Sequence, residues 1–310
     1  MIISASRRTD IPAFYSRWFI NRVHAGYCTV PNPFNLNQVS RVSLARQEVD
    51  VISFWTRNPR PLFPYLEELD QRGYRFYFLY TLLDYPHQID PFSPAADQAV
   101  RTFRELVERF GPQRVIWRYD PILFTQQTGP DFHIDTYRHL AEALRGYTQR
   151  SVISFMTHYS KAQPRLEEMA RHGAALTPFR GPAETWFGGF VRSLVDTATA
   201  NDMTIQSCAS ELDLAPYGVL PGKCVDDEYI QDVFGIDVAY QKDPGQRKLC
   251  GCVRSRDIGM YDSCLFGCQY CYATTNFERS RQNYREHDPQ SPSLVGWYDV
   301  DEELQLRLCG

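Results

Sequence analysis

The chain has 310 residues, of which 43% are hydrophobic and 23% are charged, a composition ordinary for a globular protein with a substantial core. Its formal net charge is −4 and no block of basic residues stands out, so the charge gives no indication of nucleic-acid binding. No apolar stretch approaches the roughly 18 residues of a membrane span and no secretory signal is recognisable, so we expect a cytoplasmic protein outside membranes.

Short β-branched or aromatic runs alternate with amphipathic segments along the first two thirds of the chain. The predicted strands are Ile2–Ser6, Tyr27–Pro31, Val49–Thr56, Arg75–Leu82, Arg114–Tyr119, Ser151–Thr157 and Met203–Cys208. The helix-like segments include Ala95–Phe110, Ile134–Leu144 and Thr185–Ala200. Because strands that alternate with helices indicate a parallel sheet, seven such units favour an α/β fold of the TIM-like (β/α) barrel type, complete or partial. The competing doubly wound sheet lacks a G-x-G-x-x-G motif after its first strand.

The composition changes near residue 211, where Gly, Pro and Asp become frequent and cysteines lie close together. We therefore predict a (β/α) barrel core over residues 1–210. Residues 211–278 are predicted to be a cysteine-rich, cluster-binding region that packs on the barrel. Residues 279–310 are polar and interrupted by proline, which predicts a loosely structured C-terminal extension.

A dense polar group follows the first predicted strand, Ser6-Arg7-Arg8-Thr9-Asp10-Ile11-Pro12. Adjacent arginines and an aspartate could clamp the carboxylate and amine of an amino-acid-like ligand, so Arg8 and Asp10 are candidate catalytic residues. The alternative is a strand-to-helix turn in which Asp10 caps the next helix and Pro12 occupies its first turn.

A second polar pair lies at the end of the fifth predicted strand. Arg118 and Asp120 share one face of this strand, whereas Trp117 and Tyr119 share the face predicted to lie under the helices. Active-site groups of (β/α) barrels lie at the C-terminal ends of the strands, so Arg118 and Asp120 are also candidate catalytic residues. A purely structural ion pair is the alternative interpretation.

Nine cysteines in a chain without a secretory signal indicate metal binding rather than disulfides. Three of them form a C-x3-C-x2-C run, Cys264-Leu265-Phe266-Gly267-Cys268-Gln269-Tyr270-Cys271. Such a short loop can bring three thiolates to one 4Fe–4S cluster and leave its fourth iron without a protein ligand. Tyr270 is a candidate to shield the cluster or to stack on a bound adenine. Half of a zinc site and a set of buried thiols are the alternatives, although the triplet is one thiol short of a closed zinc shell.

Four further cysteines form a second candidate metal-binding set: Cys208, Cys224, Cys250 and Cys252. The pair in Cys250-Gly251-Cys252 is too close for most zinc ribbons but can give two ligands to one cluster. Four thiolates would complete a second, fully ligated cluster. The alternative is that Cys208 and Cys224 are small buried apolar residues. Cys28 and Cys309 are expected to be plain thiols.

The motif Cys264, Cys268, Tyr270 and Cys271 resembles the cluster-binding loop of the radical S-adenosylmethionine superfamily. Over nearly its full length the chain is similar to the bacterial family numbered eighteen forty-eight among domains of unknown function. Three segments carry that second resemblance: Ser4-Ala5-Ser6-Arg7-Arg8-Thr9-Asp10-Ile11-Pro12, Val115-Ile116-Trp117-Arg118-Tyr119-Asp120-Pro121 and Cys250-Gly251-Cys252. The superfamily's loop follows its first strand, whereas here the motif comes after the barrel strands, and the superfamily's Gly-Gly-Glu element is not evident.

The resemblance to the superfamily implies an iron–sulfur enzyme that generates a 5′-deoxyadenosyl radical and acts on a small-molecule substrate at the barrel mouth. The implied cofactors are S-adenosylmethionine and one 4Fe–4S cluster, or two if the second cysteine set is used. A reductant such as a flavodoxin or ferredoxin is the implied partner. The alternative is a non-radical iron–sulfur or zinc protein that transfers electrons or binds a ligand. A metal-dependent hydrolase has weaker support because no ligand pair stands out.

Overall fold

A computed structural model describes residues 1–298 and residue 300. Within this part of the chain the strands are β1 (Ile2–Ala5), β2 (Tyr27–Asn32), β3 (Asn35–Ser43), β4 (Val51–Thr56), β5 (Phe76–Thr81), β6 (Val115–Ile122), β7 (Arg150–Phe155), β8 (Thr204–Cys208), β9 (Leu220–Gly222) and β10 (Arg256–Asp257). The α-helices are α1 (Ile11–Phe14), α2 (Ser16–Ala25), α3 (Phe63–Gln71), α4 (Ala96–Phe110), α5 (Pro130–Leu144), α6 (Gln163–Arg171), α7 (Phe187–Ala200), α8 (Asp227–Phe234) and α9 (Phe277–Arg285). None of the described helices is both long and apolar enough to cross a membrane.

The described chain divides into two compact units. Unit 1 comprises Met1–Phe76, Ser255–Leu265 and the described residues from Ala273 onward. Unit 2 comprises Tyr77–Arg254 and Phe266–Tyr272. All seven predicted strands are present, with their ends shifted by no more than about three residues, within the usual uncertainty of strand boundaries.

Unit 1 is built on a parallel sheet in the order β10-β1-β4. The register aligns Ile3 of β1 with Ile52 of β4, and Ser4 of β1 with Asp257 of β10. Ile3, Ile52 and Phe54 are at most 1% exposed. Such continuous apolar runs are typical of parallel strands that are covered on both faces.

The prediction that every early strand joins the parallel sheet is wrong for β2. This strand pairs antiparallel with β3, with Thr29 opposite Arg41, in a separate two-stranded hairpin. Strand β3 was not predicted because it is polar and mostly exposed, as at Asn37 and Gln38. A strand that buries neither face carries no hydrophobic alternation by which it could be recognised.

Unit 2 contains parallel strands in the order β5-β6-β7-β8-β9. Its register places Arg118 of β6 beside Val152 of β7, and Val152 beside Gln206 of β8. α-Helices separate β5, β6, β7 and β8 along the chain, because each crossover must return the chain to the same end of the sheet, whereas only a 3-10 turn lies between β8 and β9. The fold is therefore α/β with parallel strands, as the sequence predicted.

The face of β6 predicted to lie under a helix contacts α5, which confirms the alternation. The ring of Trp117 stacks on that of Tyr137, with centroids 4.7 Å apart. The Tyr119 hydroxyl lies 2.8 Å from His133 Nδ1, and His133 Nε2 lies 2.9 Å from the Leu123 carbonyl. Since a carbonyl only accepts, Nε2 carries the proton. Burial lowers the pKa of His133 to about 4, so this histidine is a neutral core residue.

The residues after 278 were predicted to be loosely structured, but their described part packs within unit 1. The ring of Tyr284 on α9 lies edge-on to that of Tyr15, with centroids 5.7 Å apart. Trp18 Nε1 donates a hydrogen bond to the Ser291 carbonyl at 2.9 Å, and Leu294 is fully buried. The composition of this segment did not predict the packing, because many of the contacts are hydrogen bonds to its backbone carbonyls. Cys309, predicted to be a plain thiol, lies outside the described residues.

A single carboxylate holds the two-residue strand β10 against β1. Asp257 accepts hydrogen bonds from Ser4 Oγ at 2.9 Å, from Ser6 Oγ at 2.8 Å and from the backbone N–H of Arg7 at 2.8 Å. The N–H of Gly259 donates to the same carboxylate at 3.0 Å. A Cβ at position 259 would overlap Ser6 Oγ, so only glycine fits there. Side-chain bonding therefore compensates for the shortness of β10.

We expect Asp257→Ala to lower the free energy of unfolding by about 3 kcal/mol, because four donors lose a charged acceptor in a largely buried place. Urea denaturation measures this change. The matched control is Arg256→Ala, which alters an exposed residue of the same strand. Equal losses in the two variants would show that the carboxylate does not hold β10.

Candidate functional site: thiols at the strand ends

Polar side chains line the C-terminal ends of the parallel strands in unit 2. Arg118, Val152 and Gln206 lie side by side on one face, and Ser154 and Cys208 follow two residues later on β7 and β8. Ligands of parallel α/β proteins bind at this end of the strands. Gln206 Oε1 is buried and has no hydrogen-bond partner among the described residues. A buried acceptor without a donor is typical of a place that a ligand or water completes.

Four cysteines of unit 2 lie together beside this row, and we call them the four-thiol group: Cys208, Cys224, Cys250 and Cys252. The Cys224 thiol donates to Cys208 Sγ, with the two sulfurs 3.1 Å apart. The backbone N–H of Cys224 donates to Cys252 Sγ at 3.3 Å. Cys250 is hydrogen-bonded to Cys252. The four residues predicted as a second set are therefore neighbours, although long stretches of chain separate them.

Arg118 brings a positive charge to the four-thiol group. Its Nη1 donates to Cys224 Sγ at 2.6 Å, and its Nη2 forms an ion pair with Asp120. Ser154 Oγ donates to the other carboxylate oxygen of Asp120. Arg118 is only 6% exposed, so its charge acts in a medium of low polarity. The predicted pair of Arg118 and Asp120 is observed, and it is linked to thiols that the strand pattern alone did not connect to it.

The thiols of this group differ in their protonation. The hydrogen bond from Cys224, with help from the charge of Arg118, lowers the pKa of Cys208 to about 6 although burial opposes the change. Hydrogen bonding to Cys208 and Cys252 raises the pKa of Cys224. These contacts therefore favour the thiolate of Cys208, which is the form of cysteine that binds metals and attacks electrophiles.

Within the described residues, no three His, Cys, Asp or Glu side chains are arranged so that they could hold a metal ion as they stand. The four thiols contact one another instead. All four are reduced, as are Cys28 and the cysteines of the terminal motif.

Cys268 and Cys271 of the terminal motif lie in a tight turn of unit 2. The Cys271 N–H donates to the Cys268 carbonyl at 3.1 Å. Gly267 enters this turn with φ of +72°, a conformation that glycine adopts without strain. A side chain at position 267 would also crowd Phe92 and Pro91. The local geometry therefore depends on the glycine between the first two cysteines of the motif.

Cys264 belongs to unit 1, where it follows the end of β10. It is partly exposed, and the carbonyl of its neighbour Ser263 accepts a hydrogen bond from the Tyr15 hydroxyl at 2.6 Å. The N–H of Asp262 donates to the Ala273 carbonyl at 3.0 Å. These bonds hold the unit 1 residues that precede and follow the motif in the chain. The expectation that Cys264 joins Cys268 and Cys271 in one cluster stays a prediction.

Tyr270, the candidate shield or adenine-stacking residue, lies in unit 2 and is 9% exposed. Its hydroxyl donates to Asp90 Oδ2 at 2.9 Å, and its ring lies edge-on to that of Tyr85. The residue thereby anchors the turn of Cys268 and Cys271 to the loop after β5.

Arg165 on α6 was not identified from the sequence, yet it supports the same turn. It donates to the carbonyls of Gln269 at 3.2 Å and Cys271 at 2.5 Å, and to that of Lys161 at 3.0 Å. Arg165 is 9% exposed. From the sequence, an arginine near the start of an amphipathic helix is expected to be a surface residue. No spacing rule connects it to cysteines about a hundred residues later.

Asp10 caps α1, which confirms the structural interpretation of this residue. Its Oδ1 accepts from the Ala13 N–H at 2.9 Å and from Thr56 Oγ1 at 2.8 Å. Its Oδ2 accepts from the Arg57 N–H at 2.6 Å, and Pro12 lies in the first turn of the helix as predicted. Both carboxylate oxygens are thus engaged within unit 1.

Arg8 follows β1 in unit 1 and keeps part of its side chain exposed to solvent. Its guanidinium lies over the ring of Tyr261, 5.2 Å from the centroid, and 4.0 Å from Asp257. With 26% of its side chain accessible, Arg8 is the more available of the two N-terminal candidates for contact with an anionic ligand.

The family model described as "Domain of unknown function (DUF1848)" matches residues 2–273. The chain belongs to this family. The match confirms the family resemblance. The matched residues include both the four-thiol group and the terminal motif. The comparison with curated proteins finds no match.

We expect Arg165→Met to loosen the turn of Cys268 and Cys271, because the variant keeps the apolar stem but loses three hydrogen bonds to carbonyls. Iodoacetamide should alkylate Cys268 of the reduced, native variant at least several-fold faster than in the parent, as measured by mass spectrometry. The control is Arg171→Met, an exposed position on the same helix. Unchanged alkylation would show that Arg165 does not hold the turn.

Asp10 predicts a pH dependence of stability. Burial raises the pKa of Asp10 from 3.8 to about 7. The folded chain then keeps this proton at a pH where the unfolded chain has released it, so stability falls as the pH rises from about 4 to about 7. We expect urea midpoints to fall across this range, and to fall less in Asp10→Asn. The control is Asp135→Asn, at an exposed aspartate of α5. Identical profiles for Asp10→Asn and the parent would contradict the prediction.

Proposed function

We propose that this chain is an iron–sulfur enzyme of the radical S-adenosylmethionine type, in which Cys264, Cys268 and Cys271 hold a 4Fe–4S cluster. The observation that supports the proposal is the position of β10 in unit 1. This strand lies parallel to β1 at the edge of the sheet, with Ser4 beside Asp257, and Cys264 follows it in the chain. In the superfamily that the motif resembles, the cysteine loop also follows a strand of a parallel sheet. The late position of the motif in the sequence is therefore no objection.

The donor set fits such a cluster. The three cysteines are reduced, and thiolates are the ligands that iron–sulfur clusters take. Three cysteines rather than four leave one iron without a protein ligand. When bound, the cluster supplies the electron for reductive cleavage of S-adenosylmethionine. The proposed arrangement thus uses every thiol of the motif.

The remaining residues have binding and positioning roles in this proposal. Arg165 and Tyr270 hold the turn of Cys268 and Cys271, and Arg8 binds a carboxylate at the end of β1. Arg118 and Asp120 orient the substrate at the strand ends of unit 2. The proposal includes a (β/α) barrel, complete or partial, because each unit contains parallel strands and helices, with the antiparallel β2–β3 hairpin of unit 1 as the exception. It also includes a cytoplasmic location, where thiols stay reduced, and a flavodoxin or ferredoxin as electron donor.

A second candidate function is a metal-binding protein that transfers electrons or binds a ligand without radical chemistry. The four-thiol group favours it, because four neighbouring cysteines beside Arg118 are as many thiolate ligands as a closed metal site requires.

The two functions differ in one product. We expect anaerobically reconstituted protein, given dithionite and S-adenosylmethionine, to release 5′-deoxyadenosine. The triple variant with alanine at positions 264, 268 and 271 should release none, whereas Cys28→Ala, which alters a buried thiol outside the motif, should retain the activity.

Iron and sulfide content, measured on the same samples, separates the possible failures. An intact cluster at the motif without any 5′-deoxyadenosine would exclude the radical mechanism and favour the second function. Equal iron in the parent and the triple variant would exclude the motif as a cluster site.

A further inference from the structure

Unit 2 contains a candidate metal site that is distinct from the terminal motif. We propose that Cys208, Cys224, Cys250 and Cys252 bind a thiophilic metal centre through four thiolates, either a zinc ion or an iron–sulfur cluster held entirely by cysteine. All four residues belong to unit 2. The inference therefore stands whether or not the terminal motif supports radical chemistry.

Residues that lie far apart in the sequence converge at the four-thiol group. Cys224 lies 16 residues after Cys208, and Cys252 lies 28 residues after Cys224, yet their side chains are within hydrogen-bond distance of this group. Cys224, Cys250 and Cys252 are each at most 6% exposed. Cysteines that merely fill a core as small apolar residues have apolar neighbours, whereas here a guanidinium contacts one of the sulfurs.

Neighbouring groups donate hydrogen bonds to these sulfurs. Two consecutive backbone N–H groups, those of Cys224 and Val225, donate to Cys252 Sγ at 3.3 and 3.4 Å. Arg118 Nη1 donates to Cys224 Sγ. Hydrogen bonds to the cysteine sulfurs are also a means by which proteins adjust metal–sulfur centres.

The four-thiol group also has a positive counter-charge beside it. Four thiolates around a divalent ion, or around a cluster, leave a net negative centre that is costly to bury without a counter-charge. Arg118 provides a buried positive charge at the group. Asp120 holds the other side of this guanidinium and is itself held by Ser154. The chain of contacts from Ser154 to the sulfur fixes the direction in which the guanidinium points.

The distance between two of the sulfurs indicates how far this pair must move to bind one metal ion. Thiolates on a tetrahedral zinc ion lie about 2.3 Å from the metal and therefore about 3.8 Å from one another. Cys208 Sγ and Cys224 Sγ are 3.1 Å apart, so these side chains must separate by less than an ångström. Rotation of the two side chains supplies such a movement, because Cys208 ends its strand and Cys224 lies in a loop.

The test uses the full-length chain with alanine at positions 264, 268 and 271, so that the terminal motif cannot contribute metal. The protein is isolated anaerobically and offered either Zn²⁺ or Fe²⁺ with sulfide. We expect it to retain about one metal centre per chain, with zinc and iron–sulfur distinguished by elemental analysis and by visible absorption. Adding Cys224→Ser and Cys252→Ser should lower the retained metal at least tenfold, whereas adding Cys28→Ser should not change it.

A second measurement does not require the serine variants to fold. Bound metal should protect the four-thiol group from iodoacetamide in the protein that retains all four cysteines, and a chelator should remove that protection. Mass spectrometry reports each cysteine separately. No metal retention in the folded protein, or no change in alkylation on adding metal, would overturn the proposal. A Cys208–Cys224 disulfide that persists in the anaerobically isolated protein would overturn it as well.

Discussion

The buried guanidinium of Arg118 is the group on which the candidate site of unit 2 depends. A buried charge is tolerated only when it is paired and hydrogen-bonded, and Arg118 has Asp120 on one side and Cys224 on the other. The hydrogen bond from Cys224, together with this charge, lowers the pKa of Cys208. One side chain thus joins a strand-end carboxylate to a group of cysteines from three separate parts of the chain.

Unit 1 depends on a comparable interaction of opposite sign. The carboxylate of Asp257 accepts from Ser4, Ser6 and the backbone of Arg7, and so fixes the short strand β10 beside β1. Because Cys264 follows β10 closely in the chain, the position of β10 limits where Cys264 lies in unit 1. The motif should therefore be compared with the cysteine loops of other proteins by the position of its strand in the sheet, not by its position in the sequence.

The predictions that held were those based on short-range regularities. Short β-branched or aromatic runs identified β1 and β4, alternation along β6 assigned Trp117 to the helix side and Arg118 to the polar side, and Asp10 was recognised as a possible helix cap. The failures had different causes. Strand β3 is mostly exposed, and α9 is so polar that its packing on residues near the N-terminus, rather than its composition, shows that it belongs to the folded unit.

The sequence by itself determined the parallel α/β class, the family and the spacing of the terminal cysteines, because periodicity and motif spacing are local properties of the chain. Only the tertiary structure decided that four dispersed cysteines meet at Arg118 and that Arg165 supports the turn of Cys268 and Cys271. Those contacts join residues separated by sixteen to more than a hundred positions. Such contacts depend on how strands and loops pack against each other, which no regularity within a single segment specifies.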